Sequence, residues 1–300
     1  MHQHWVPDSY LQAWIDPVRP EEHEPFVHVF DVHGKEHRRR NPRKILRMPE
    51  LYTFFENGVP NRSIEQHFGR AERDFVRMRG LIEERGYGGP AEVAALYGFT
   101  AGMMVRPPNR IQHYTDQWAS IADKARRIRV RPDAKPMPSI FSKGPGFTIA
   151  QVHRMAEDPM GTWFTASLNA HIRALTTMFQ CEILVNGSPY PFVTSDSPAV
   201  THWEGEPPPH PMPRGLGSRG CTITLPISPR HALRFTHGAA GVVDPWPALD
   251  WEGVFEFNHL TITRARKVIV SDREDLFFVQ AILDHLIRAD AAAPDKIGSV

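Results

Sequence analysis

Disulfide scaffolds, zinc knuckles and membrane spans all lack their raw material in this chain. Two cysteines in 300 residues, Cys181 and Cys221, are too few for a disulfide framework, and no CxxC pair offers a zinc site. That scarcity points to a reducing, cytoplasmic setting. No apolar run reaches the roughly 18–20 residues needed to cross a bilayer, so no membrane partner is expected. The N-terminus shows no basic region followed by an apolar one, so no secretory leader is expected either. An excess of one charge is also missing. Thirty-five Lys and Arg face 34 Asp and Glu, a formal net charge of +1, which removes any global electrostatic argument for nucleic acid or membrane. There is no GxGxxG after a strand, no Walker A loop, no GxSxG elbow and no HExxH, so dinucleotide, P-loop, serine-hydrolase and zincin chemistries lose their usual support. No carboxylate and lysine follow Asp196 on the strand at 221–226, which argues against a PD-(D/E)xK nuclease.

What is present is an ordinary globular composition, 41% hydrophobic and 23% charged, long enough to bury a core without staples. The pattern along the chain changes character twice. Residues 1–60 form a small β-rich start, in which Phe26–Val32 alternates as a strand, His33-Gly34-Lys35 turns it, and Leu51–Phe55 is its expected partner. Residues 61–180 are helical. Ile64, Phe68, Ala71, Phe75 and Met78 mark one face of a helix capped by Asn61 or Ser63 and running to about Arg85. Pro90 starts the next helix at a position where proline fits, Arg106-Pro107-Pro108 ends it, and Asn109 leads into another. A loop at 132–145 and helices at 148–157 and 160–180 follow. Residues 181–290 are β-rich, with strands at 181–186, 191–196, 221–226, 232–236 and 267–270 and helices at 251–264 and 273–288. The proline- and glycine-rich 204–220 segment is expected to be a flexible insert, and 291–300 a frayed tail. The element order is α+β: a helical middle packed on a mostly antiparallel sheet formed largely by the C-terminal third. We expect one compact domain over 1–290.

Candidate chemistry gathers in short polar patches. Pro191-Phe192-Val193-Thr194-Ser195-Asp196-Ser197-Pro198 is an apolar strand that ends in a carboxylate, where folds often hold their chemistry. Asp196 can ligate a metal or act as a base, and it can equally cap the turn that follows. His4, in His4-Trp5-Val6-Pro7, can be a ligand, a general base or a surface histidine. Glu65 and Glu72 lie two helical turns apart beside the buried stripe, where they can hold a hard divalent ion through oxygen or pair with arginine. Arg106 and Arg110 flank a helix break and can clamp a phosphate or carboxylate, or tie helices to the sheet. Asn258, set between apolar residues, can bond a buried backbone group or a ligand. Two basic runs, His37–Lys44 and Lys124–Arg131, can meet phosphates or can be a solvated loop and a helix end.

These patches resemble the DUF4238 family of uncharacterised, mostly microbial proteins. The likeness rests on His4-Trp5-Val6-Pro7 with Tyr10-Leu11 and Trp14, on Ile64-Glu65 leading to Glu72, on Arg106-Pro107 followed by Arg110, and on Pro191–Pro198 followed by Leu225-Pro226-Ile227-Ser228-Pro229 and Asn258. It extends over roughly residues 4–270, and the 204–220 insert looks peculiar to this chain. The resemblance implies one compact domain and no established activity. It suggests that His4, Glu65, Asp196 and Asn258 belong to one constellation.

Two functional expectations follow. In the first, a metal-dependent hydrolase acts on a phosphodiester or other anionic substrate. His4, Glu65, Glu72 and Asp196 hold a divalent cation such as magnesium or manganese, His4 and Asp196 serve catalysis with Asn258, and Arg106 and Arg110 stabilise negative charge. In the second, the same residues form a buried structural network in a non-enzymatic binding or regulatory protein. Nucleic acid and small anionic ligands are the partner classes left open, with the 37–44 run as the nucleic-acid surface.

Overall fold

The structure is a computed structural model that describes residues 2–32, 36–56, 58–84, 90–127, 161, 164–205, 214–274 and 277–292. Among them are seven α-helices and fourteen strands in mostly antiparallel sheets. The fold is α+β, and its largest sheet is built from the C-terminal strands. No helix among the described residues is long and apolar enough to cross a membrane.

The largest sheet has six strands. β7 (Phe179–Asn186), β11 (His231–His237), β10 (Cys221–Pro226) and β9 (Val200–Trp203) run antiparallel, while β12 (Val242–Val243) and β13 (Ala248–Leu249) lie parallel along β7. All of β10 is buried, as expected of a central strand covered on both faces. Alternation sends Cys181, Ile183, Leu233 and Phe235 to one side, against the helical middle, and Leu184 and Ala232 to the other. The helices on the first side are α2 (Ser63–Glu83), α3 (Pro90–Val105) and α5 (Thr165–Met178). Neither Asn61 nor Ser63 caps α2, whose N-cap is Arg62; Asn61 Oδ1 accepts from the Ser63 N–H at 2.9 Å in the turn that leads into the helix. Its buried face carries Ile64, Phe68, Phe75, Met78 and Ile82 at helical spacing. α3 packs against both α2 and α5. It buries Leu96, Tyr97, Phe99, Ala101, Met103 and Val105, residues from nearly all around the helix. α4 (Pro108–Arg127) follows the Arg106-Pro107 break.

A second, four-stranded sheet joins distant parts of the chain in the order β3 (His37–Arg40), β2 (Val27–Asp31), β14 (Val268–Ser271) and β8 (Thr194–Ser195). One of its faces is covered by α6 (Trp251–Arg264) and α7 (Phe277–Ala292) through Phe30, Ile262, Ile269, Phe278 and Ile282. α6 also packs Val254 and Phe257 against Leu184 and Ala232 of the larger sheet, so it ties the two sheets together.

Three expectations about elements change here. The basic run is an edge strand: His37–Arg40 pairs with Val27–Phe30, and its charges protect an edge that would otherwise offer open pairing groups. The expected partner, Leu51–Phe55, instead places Phe54–Glu56 (β5) against Val59–Asn61 (β6) in a local hairpin. Gly58, at φ +80°, supplies the turn conformation that other residues disfavour. β1 (His2–His4) was not legible either, and it pairs with β4 (Arg47–Pro49). The 191–196 run is extended, but only Thr194–Ser195 is strand. The expected turn at 33–35, the loop at 132–145, the helix at 148–157, residues 128–131 of the second basic run, the middle of the 204–220 insert and the tail beyond 292 lie outside the described residues. The flanks of that insert are held by Trp203 Nε1 donating to the Gly215 carbonyl and Arg214 donating to the Gly205 carbonyl.

Candidate functional site

The opening motif and the Pro191–Pro198 motif form one unit. Trp5 Nε1 donates to the Asp196 carbonyl at 3.1 Å, and Trp14 Nε1 donates to the Phe192 carbonyl at 2.9 Å. Between them the Tyr10 hydroxyl bonds Thr194 Oγ1 at 2.8 Å and donates to the Pro226 carbonyl. The three partners on the extended segment are residues 192, 194 and 196, so they share a face by the two-residue period of extended chain. Tyr10 is fully buried, and burial pushes its hydroxyl far above the ordinary tyrosine range. It is therefore a neutral donor and acceptor.

The Asp196 carboxylate is turned inward from this unit. Its Oδ1 accepts from the Arg266 N–H at 2.9 Å, where the chain passes from α6 into β14. Burial raises its pKa, and the backbone N–H groups of Arg266, Lys267 and Val268 oppose that rise. Asn258, fully buried on α6, accepts from the Val193 N–H and donates to the Pro191 carbonyl, both at 2.9 Å. Asn258 closes backbone groups in a segment with little strand pairing of its own, and Asp196 closes them in the link between α6 and β14.

A separate polar cluster forms where α2 meets the end of α3. Arg106 donates to Glu72 Oε1 at 2.7 Å and to the His4 carbonyl at 3.2 Å. Its guanidinium lies 4.0 Å from the Phe68 ring centre. Burial acts to lower the Arg106 pKa, but Tyr52 and Glu72 together hold it above its ordinary value, so it stays charged at a side-chain exposure of 3%. Glu65 sits beside this pair. Burial raises its pKa, Glu72 adds to the rise and Arg106 opposes it. Glu65 Oε2 and Arg106 Nε are buried without a hydrogen-bond partner among the described residues. The His4 ring turns aside, with Nε2 3.3 Å from the Arg43 carbonyl, and burial lowers its pKa. Arg110 is exposed on the first turn of α4.

The structure therefore brings Glu65, Glu72, Arg106 and the His4 backbone together. It places Asp196 and Asn258 in a second group, in contact with the polypeptide backbone, and Arg110 outside both. Among the described residues, three metal-ligating groups come within 4.8 Å of one another only at His28, His37 and Glu274, none of which the motif reading selected. The signal for His28 was its place in an alternating strand, where an inward polar residue needs a partner.

A groove of about 500 Å³ lies elsewhere, along the edge strand. Its lining includes Arg39, Arg40, Asn41 and Lys44, with Phe26 as an aromatic wall. Arg39 is held by Glu274 at 3.0 Å and Lys44 by Glu24 at 3.3 Å. Arg40 is exposed and makes no ion pair among the described residues. The basic run was visible in the sequence, and the groove it lines was not.

No curated protein and no solved structure matches the chain. The model of one family, described as a protein of unknown function (DUF4238), matches residues 2–275, which take in every motif described above. The chain belongs to the DUF4238 family.

Proposed function

We propose that this protein binds a small anionic ligand in the groove lined by Arg39, Arg40, Asn41 and Lys44, and that the motif residues form the structural network that holds the groove's scaffold. The observation that carries this reading is the convergence of three cations, against the single carboxylate Glu24, and an aromatic wall on one concavity in a chain whose overall charge is close to neutral. Its volume suits a nucleotide-sized molecule, since ligand pockets run from about 300 to 1,000 Å³. Asp196, Asn258 and Arg106 support the structural half of the reading, because each is bonded to backbone groups that would otherwise be buried alone. Titration calorimetry with pyrophosphate and with ATP tests it. Binding should weaken as salt rises from about 50 to 200 mM, as expected of an ion-paired anion. Arg40→Gln should weaken it about tenfold, the loss of one charge-assisted contact, with no change in thermal midpoint. If neither anion binds, the reading fails. If only a single-stranded oligonucleotide binds, the partner class is nucleic acid.

A second reading, a metal-dependent hydrolase acting on a phosphodiester or similar anionic substrate at Glu65 and Glu72, is favoured by one observation. Glu65 Oε2 is buried and has no hydrogen-bond partner among the described residues beside a charged arginine, a perturbed acid of the kind that functional sites use. Manganese-dependent cleavage of bis-p-nitrophenyl phosphate, abolished in a stably folded Glu65→Gln variant, would establish it over the first.

A further inference from the structure

We propose that His28, His37 and Glu274 form a binding site for a transition-metal ion of the zinc class, with Asp16 orienting the first ligand. This site does not rest on the anion-binding reading, although the Arg39–Glu274 ion pair connects it to the groove.

The argument begins with strand register. β2 and β3 pair antiparallel, with His28 opposite Arg39 and Phe30 opposite His37. His28, Phe30, His37 and Arg39 therefore share one face, and the two histidines are diagonal neighbours on it. The imidazoles lie nearly parallel, 9° apart in plane, with His28 Nδ1 at 2.8 Å from His37 Nε2. Glu274 reaches the same place from just beyond β14, and its Oε1 lies 3.6 Å from His37 Nδ1. One ligand atom from each of the three residues falls within 4.8 Å of the others.

Protonation on the inner side decides what this arrangement can hold. His28 is 1% exposed, and its Nε2 meets Asp16 Oδ2 at 2.9 Å. The Asp16 carboxylate oxygen accepts in that contact, so His28 Nε2 carries the proton and Nδ1 presents a lone pair. A carboxylate on the far nitrogen of a metal-binding histidine is the usual way in which the tautomer and ring plane of such a ligand are set. Neutral His37 has one proton for two nitrogens. With that proton on Nδ1, facing the Glu274 carboxylate, its Nε2 lone pair meets the His28 Nδ1 lone pair at 2.8 Å. A cation resolves that juxtaposition. Glu274 divides its oxygens, with Oε2 on Arg39 at 3.0 Å and Oε1 left toward the histidines.

Two nitrogens and one carboxylate oxygen, with a solvent-facing fourth position, are a donor set suited to zinc and its neighbours rather than to magnesium. Two nitrogens on a tetrahedral zinc stand about 3.3 Å apart when each bond is about 2.0 Å. His37 therefore has to move by roughly half an ångström, which an edge-strand side chain beside solvent can do.

The test is calorimetry of the metal-free protein with zinc chloride, together with the visible spectrum of the cobalt-loaded form. The wild type should bind one equivalent and show tetrahedral cobalt bands without a thiolate charge-transfer band. His37→Gln and Glu274→Gln should each lose at least about tenfold in affinity, and Asp16→Asn a comparable amount through the orientation of His28. His37 and Glu274 are partly or largely exposed, so the metal-free midpoints of those two variants should match the wild type. Zinc bound equally well by wild type and His37→Gln would mean that other histidines among the sixteen hold it, and would overturn the proposal. Absence of binding at 100-fold excess would overturn it as well.

Discussion

At the scale of single residues, the polar groups of the motifs are distinguished by what remains if they are removed. Asn258 closes one donor and one acceptor of the 191–193 backbone. Leucine in its place leaves both buried without partners, at roughly 1–3 kcal/mol each. Asn258→Leu should therefore lose about 2–4 kcal/mol in urea unfolding, and a loss under about 1 kcal/mol would show that water or local shifts replace the amide. Arg106→Ala leaves Glu72 and Glu65 together without their cation and should cost about 3–5 kcal/mol, the usual result of breaking a buried pair from one side. Glu65 behaves in the opposite sense. Its pKa is raised in the folded state, so folding favours its protonated form. That contribution is fully present below the unfolded glutamate pKa and is lost as pH rises through the folded value. Glu65→Gln should match the wild type at low pH and exceed it in thermal midpoint at pH 8. Parallel pH profiles for the two proteins would refute this assignment.

At the scale of elements, the N-terminal segment acts as a clamp. Trp5, Tyr10 and Trp14 bond to positions 196, 194 and 192, a stretch with only two residues of regular strand. The sequence showed both motifs as short polar-aromatic patches but could not pair them, because 178 to 191 residues separate the partners. Tyr10→Phe keeps the ring packing against Trp14, Phe75 and Phe99 while removing the hydroxyl. It should cost about 1–3 kcal/mol. Hydrogen exchange should accelerate at 192–196 more than in β10, and uniform acceleration would mean that the clamp is not local. The edge strand teaches a related lesson. His37–Arg40 looked like a solvated run because charge dominates its composition, yet an edge strand has one open side and accepts charge there.

At the scale of the whole molecule, one cluster of buried side chains runs from Trp5 through α2, α3 and α5 to Phe235 and Val270. A chain whose beginning, middle and end share a core should unfold as one unit. We expect far-ultraviolet circular dichroism and tryptophan fluorescence to give coincident thermal transitions. Two separated transitions would divide the 1–290 stretch into independent parts.

Sequence alone determined the class and most of the helices, because periodicity, capping and proline position are local properties. Ser63–Glu83, Pro90–Val105 and Trp251–Arg264 start and stop close to where Asn61, Pro90, Pro107 and the run from Trp251 place them. The family was also legible, since ordered motifs survive as text. Only the tertiary structure decided which motif residues meet. It joined Glu65, Glu72 and Arg106, gave Asp196 and Asn258 to the backbone, and brought His28, His37 and Glu274 together from two paired strands and a distant loop. Pairing between strands far apart in the chain is set by packing and burial over the whole core, and no local pattern carries that information.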